Sequence, residues 1–176
     1  MESRVKLLGH PIHPMLIVLP LGLFITAVIF DALYMWRGNP TFAVVAYWNI
    51  AVGIVGGLLA AIFGLIDWLA IPDGTRAKRI GMLHGGTMVL VVTLFAFVLW
   101  ARSNAVDPLL TTAIFSAEIV ALLLGAAGGW LGGELVDRLG IGVDDGAHVN
   151  APNSLSGLPA FQHGADESPI RHRHAS

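Results

Sequence analysis

Residues 41–71 read TFAVVAYWNIAVGIVGGLLAAIFGLIDWLAI, and Asp67 is the one charged side chain among them. A helix rises about 1.5 Å per residue, and a bilayer core about 30 Å thick is crossed by roughly 20 apolar residues. This stretch therefore crosses a membrane with residues to spare, and it must tilt or project beyond the hydrocarbon. It is bounded by two turn sequences, Arg37-Gly38-Asn39-Pro40 before it and Pro72-Asp73-Gly74 after it.

Outside those turns the same pattern recurs. Apolar runs at about 15–36, 82–101 and 109–135 are each long enough to span, which makes four spans with 41–71. The connections are short, so neighbouring helices should run antiparallel. The expected fold is all-α, an integral membrane four-helix bundle over residues 1–143, followed by a disordered cytoplasmic tail over 144–176 that is rich in Gly, Pro, Ser, Ala and His. Pro14 suits the first turn of helix one, and Pro20 is placed to kink it. Helix one exceeds a signal-peptide core in length and no small-x-small cleavage site follows it, so it is expected to stay in the chain.

Composition agrees. Of 176 residues, 55% are hydrophobic and 12% charged, whereas soluble domains carry about 25% charged residues. The net charge of −2 gives no reason to expect a nucleic-acid partner. The absence of cysteine excludes thiolate metal sites, iron–sulfur ligation and thioether-linked haem. No phosphate-binding Gly loop, Ser nucleophile elbow or His-Glu-x-x-His helix is present, so a conventional enzyme is not expected.

Basic residues set the expected orientation. Arg4, Lys6, Arg76, Lys78, Arg79 and Arg138 flank one side and Arg37 and Arg102 the other, which places both termini in the cytoplasm. Trp36, Trp68, Trp100 and Trp130 fall near span ends, where amphipathic rings favour the interface. Gly53 and Gly57, and again Gly125, Gly129 and Gly133, repeat at four-residue spacing. Such faces allow close helix packing within the bundle or against a second copy.

Polar groups inside a membrane are costly and often mark a site. His10, His13, Asp67, His84 and Glu134 all fall at the expected cytoplasmic ends of the four helices. Three imidazoles and two carboxylates suit zinc, iron, manganese or nickel, and His13 opposite His84 would suit haem b. Met88, one turn from His84, is a further soft donor. The same residues equally suit ordinary roles as caps, packing groups and interfacial ion pairs. Asp31, Asn49 and Glu118 form a second set in the outer half, where desolvation disfavours a bare carboxylate; they could relay protons, hold a cation, or merely hydrogen-bond between helices.

The two hairpins are faintly alike. His13 and His84 begin the first helix of each, Asp67 and Glu134 end the second, and Asn49 and Glu118 lie at matching depths, with offsets of about 71, 67 and 69 residues. That pattern describes a parallel duplication about an axis along the membrane normal, although Asp31 has no counterpart near position 102.

Gly9-His10-Pro11-Ile12-His13-Pro14-Met15, Gly64-Leu65-Ile66-Asp67-Trp68, His84, and the closing stretch from Gly128 to Val143 carry a resemblance. Over about residues 5–143 the chain resembles the bacterial membrane-protein family known as domain of unknown function 2231. The resemblance implies a four-helix bundle in the bacterial inner membrane and implies no activity. Many relatives carry a further His-Phe-Pro just inside helix one, where this chain has Val18-Leu19-Pro20, which removes one candidate ligand.

Three functions follow as expectations. The chain could hold a metal or haem for redox or metal handling, serve as a structural subunit of a membrane complex, or move protons or cations through the outer carboxylates.

Overall fold

The computed structural model describes residues 1–104 and 112–161. A short hairpin, β1 (Lys6–Leu7) and β2 (His10–Pro11), precedes helices α1 (Ile12–Leu16), α2 (Val18–Arg37), α3 (Pro40–Ala70), α4 (Arg76–Asn104) and α5 (Thr112–Gly133). A π-helical turn, Glu134–Arg138, extends α5. Leu8 and Gly9 both take positive φ between the strands, at 51° and 83°, as a two-residue hairpin turn requires. Four of the resulting spans, Ile12–Arg37, Pro40–Ala70, Arg76–Ser103 and Thr112–Arg138, are long and apolar enough to cross a membrane.

Local chemistry explains the boundaries. Pro20 has no N–H and its ring crowds the carbonyl four residues earlier, and the helix is interrupted at Ile17, between α1 and α2. Gly38 ends α2 in the left-handed region (φ 68°), its N–H donating to the Tyr34 carbonyl at 2.8 Å. Asn39 then caps α3, its side-chain oxygen accepting from the Thr41 N–H at 3.0 Å, with Pro40 in the first turn.

Helix α4 begins at Arg76, six residues before the apolar run expected to define it. Thr75 accepts the Lys78 N–H at 3.1 Å and so starts the helix outside the hydrocarbon. Lys78 then turns its ammonium back to the carbonyls of Trp68 (3.0 Å) and Ile71 (3.1 Å), where α3 leaves acceptors unsatisfied and its dipole is negative.

The helices form a ring. Both α2 and α4 pack against α3 and α5, and face each other across the diagonal. Phe24, Ala27, Ile50, Phe95, Val98 and Ala121 make the core. The outside is apolar as well: Leu21, Val55, Val89, Leu123 and Trp130 are all at least half exposed. A soluble bundle could not carry such a surface; lipid covers it here.

The duplication is visible in the contacts. His13 meets His84, Phe24 stacks on Phe95 with centroids 4.0 Å apart, and Asp31 pairs with Arg102. Each pair is 71 residues apart, and each joins α4 to the first span, His13 from α1 and Phe24 and Asp31 from α2. The hairpins are thus related by a pseudo-two-fold axis through the bundle. Return helices correspond at an offset of 68, so Ala60 matches Gly128 and Gly64 matches Gly132. This alignment corrects the one read from sequence: Glu118 answers Ile50 rather than Asn49, and Asp67 answers Leu135 rather than Glu134. The counterpart of Asp31 is Arg102, its own partner.

Residues 140–161 do not trail free. The Met1 carbonyl accepts the Gly142 N–H at 2.9 Å, and Lys6 bridges Glu2 (2.7 Å) and Asp144 (2.5 Å). Ser154, in a 3₁₀ turn over Ser154–Ser156, bonds His10 at 3.2 Å. The tail expected from 144 is therefore tied to the N-terminal arm as far as these contacts reach; His163, Arg171, His172, Arg173 and His174 lie outside the described residues.

Hydrogen bonding to Lys6 holds the Glu2 carboxyl below its usual range, and bonding to Asp144 and Glu2 holds the Lys6 ammonium above its own. The stability from Glu2 is lost as pH falls through its depressed value, and that from Lys6 as pH rises through its raised value. Protection of the Gly142 and Asp145 amides, measured against their intrinsic exchange rates, should consequently be greatest between those limits and fall on both sides. Exchange that follows only the intrinsic pH dependence would contradict the latch.

Candidate functional site

The five residues expected to share one site lie at one end of the bundle, but they separate into distinct environments. Asp67 is taken by the N-terminal arm, accepting from the Ser3 hydroxyl at 2.8 and 2.9 Å and from the Arg4 N–H at 2.7 Å. Glu134 pairs with Arg76 at 2.6 Å. His10 stands on β2, exposed, against Ser154. Among the described residues no group of three His, Asp or Glu side chains converges as a metal site would require. The terminal methyl of Met88 abuts Gly128, where it fills space beside α5.

His13 and His84 do come together. Their ring centroids are 6.3 Å apart with planes at 88°. His13 Nδ1 bonds the Ala60 carbonyl at 2.9 Å, and His84 Nδ1 bonds the Gly128 carbonyl at 2.8 Å. A carbonyl can only accept, so each Nδ1 carries the hydrogen and each neutral imidazole keeps its lone pair on Nε2. Both rings lie over glycine: a Cβ on Gly64 would stand 2.9 Å from His13 Cε1, and one on Gly132 would stand 3.2 Å from His84 Cε1. The two imidazoles are held by the same device, repeated by the pseudo-symmetry.

About 27 Å from His13 along α1 and α2, taking 18 residues at about 1.5 Å each, a second polar cluster lies near the opposite end. Asp31 and Glu118 are fully buried and Arg102 is 2% exposed. Arg102 grips Asp31 with both terminal nitrogens, at 2.5 and 2.9 Å, and its Nη1 stands 3.7 Å from Glu118 Oε1. By sequence position Arg102 belongs with Arg37 at the flank of the bundle. The structure corrects that, because the long Arg102 side chain turns inward from the last turn of α4. Asn49 is partly buried on α3, and no hydrogen bond joins it to the cluster among the described residues.

Gly53 and Gly57 receive neighbours, a Cβ at either position standing 2.7 Å from Phe24 Cε1 and 3.1 Å from Val92 Cγ2 respectively. Gly125, Gly129 and Gly133 meet nothing within 4 Å among the described residues. On α5 the close approaches belong to Gly128 and Gly132, on an adjacent face.

These features define a multi-pass membrane protein, a pseudo-symmetric four-helix bundle in contact with lipid. Residues 9–145 match the model of a family described as predicted membrane protein, DUF2231, and the chain belongs to that family. No curated protein and no solved structure matches it.

Proposed function

We propose that this protein holds a haem iron between His13 and His84 and works as an electron-carrying subunit of the bacterial inner membrane, with both termini in the cytoplasm. The observation that carries the reading is the pair of imidazoles with both δ nitrogens bound to helix carbonyls. Carbonyls in that position fix the tautomer and orientation of axial and metal-bound histidines and leave Nε2 as the donor.

The spacing supports it. The two ring centroids stand 6.3 Å apart, close enough for His13 and His84 to hold one metal-bearing group together. The donor set also favours haem over a bare ion. A porphyrin fills four positions of iron, so two imidazoles complete its shell, whereas zinc or nickel would need further protein ligands, and the carboxylates named for that purpose are engaged elsewhere. Haem bound in this way supplies one-electron transfer.

Alanine at His13 and alanine at His84 should each abolish stoichiometric binding while the protein remains folded. Full occupancy in both variants would defeat the reading. Stoichiometric zinc, manganese or nickel in the wild type, lost in both variants, would replace haem with a metal centre at the same pair.

A further inference from the structure

The Asp31–Arg102–Glu118 cluster carries an inference independent of the histidine pair. Counting charge, one guanidinium faces two carboxyls. Both of its terminal nitrogens are committed to Asp31, so that pair is already neutral. Glu118 is left fully buried, and neither of its oxygens accepts a hydrogen bond among the described residues. The 3.7 Å to Arg102 is too long for one. Among the described residues the charged groups facing it are Asp31 from α2 and Arg102 from α4, while α3 brings apolar Ala46 and Ile50 to the core and α5 has no other ionisable residue.

A buried carboxylate without a donor is too costly to persist in a low-dielectric core; such a group neutralises by taking up a proton or a cation. A metal cation is disfavoured on chemistry. It would need several oxygen ligands, and both Asp31 oxygens already accept from the guanidinium. A proton needs only one acceptor. Both carboxyls stand beside one guanidinium, Asp31 at 2.5 and 2.9 Å and Glu118 at 3.7 Å, so one added proton on Glu118 removes the uncompensated charge.

We propose that Glu118 is a proton-binding site at the end of the bundle opposite the histidines, occupied by one exchangeable proton while Arg102 is committed to Asp31.

Infrared spectra of the purified, reconstituted protein at neutral pH test this directly. The wild type should show a carboxylic-acid C=O stretch that shifts after exchange into D₂O, and Glu118→Gln should lose it. Asp31→Asn frees Arg102, which then has Glu118 as its remaining anion, so this variant should lose the band too. It keeps the test available if Glu118→Gln fails to fold. A wild-type spectrum without an acid band would overturn the proposal. So would a band that survives Glu118→Gln, one that survives Asp31→Asn, or one that D₂O leaves unmoved.

Discussion

Arg102→Ala should cost about 3–5 kcal/mol, the penalty for leaving one charge of a buried pair uncompensated. The whole stability of a domain is about 5–15 kcal/mol, so most of the protein should be lost as aggregate on extraction. Asp31 has no exposure and takes both guanidinium nitrogens. The pseudo-symmetry sharpens the expectation, because the two side chains approach the axis from equivalent positions on α2 and α4. Asp31→Arg combined with Arg102→Asp should therefore recover much of what Arg102→Asp alone destroys. Unfolding in a denaturing detergent, followed by circular dichroism, measures all four proteins. A swap no better than the single charge reversal would show that the pair does not hold the helices.

Gly64→Ala should displace the His13 ring. The new Cβ would stand 2.9 Å from Cε1 and 3.0 Å from Nδ1, the atom that bonds the Ala60 carbonyl. The ring cannot retreat while keeping that bond. Overpacking of this kind costs about 1–3 kcal/mol, and the loss of orientation should lower cofactor occupancy further. Gly132→Ala meets His84 at 3.2 Å and should give the same defect in milder form. Gly129→Ala, with nothing within 4 Å among the described residues, is the control and should leave stability and occupancy unchanged. Equal effects at Gly64 and Gly129 would mean that the rings are not seated on glycine.

The spans were legible because hydropathy alone decides them, and the α2–α3 turn because Gly38, Asn39 and Pro40 each have one conformational reason to be there. Rotation about each helix axis was not legible. Depth counting put Asp67 and Glu134 at the right end of the bundle, yet it could not show that they turn toward Ser3 and Arg76 instead of His13 and His84. The glycine face of α5 failed for the same reason, since 125-129-133 and 128-132 are both small-residue rows and nothing local says which faces inward.

Arg102 is the more instructive miss. A long side chain at a helix end reads as an interfacial anchor, like Arg37, whose guanidinium stacks on the exposed Trp36. The signal that could have found it was present. His13 and His84 already set an offset of 71, and that offset leads from Asp31 to Arg102. At that offset stands a complementary base, not a second acid.

The proposed function requires that His13 and His84 share an iron-bearing group. One absorption spectrum of the protein in mild detergent, oxidised and then reduced with dithionite, with elemental analysis of the same sample, tests it most directly. The account predicts a Soret band that moves on reduction and iron near one per chain. A colourless protein that stays metal-free after incubation with haem would contradict it.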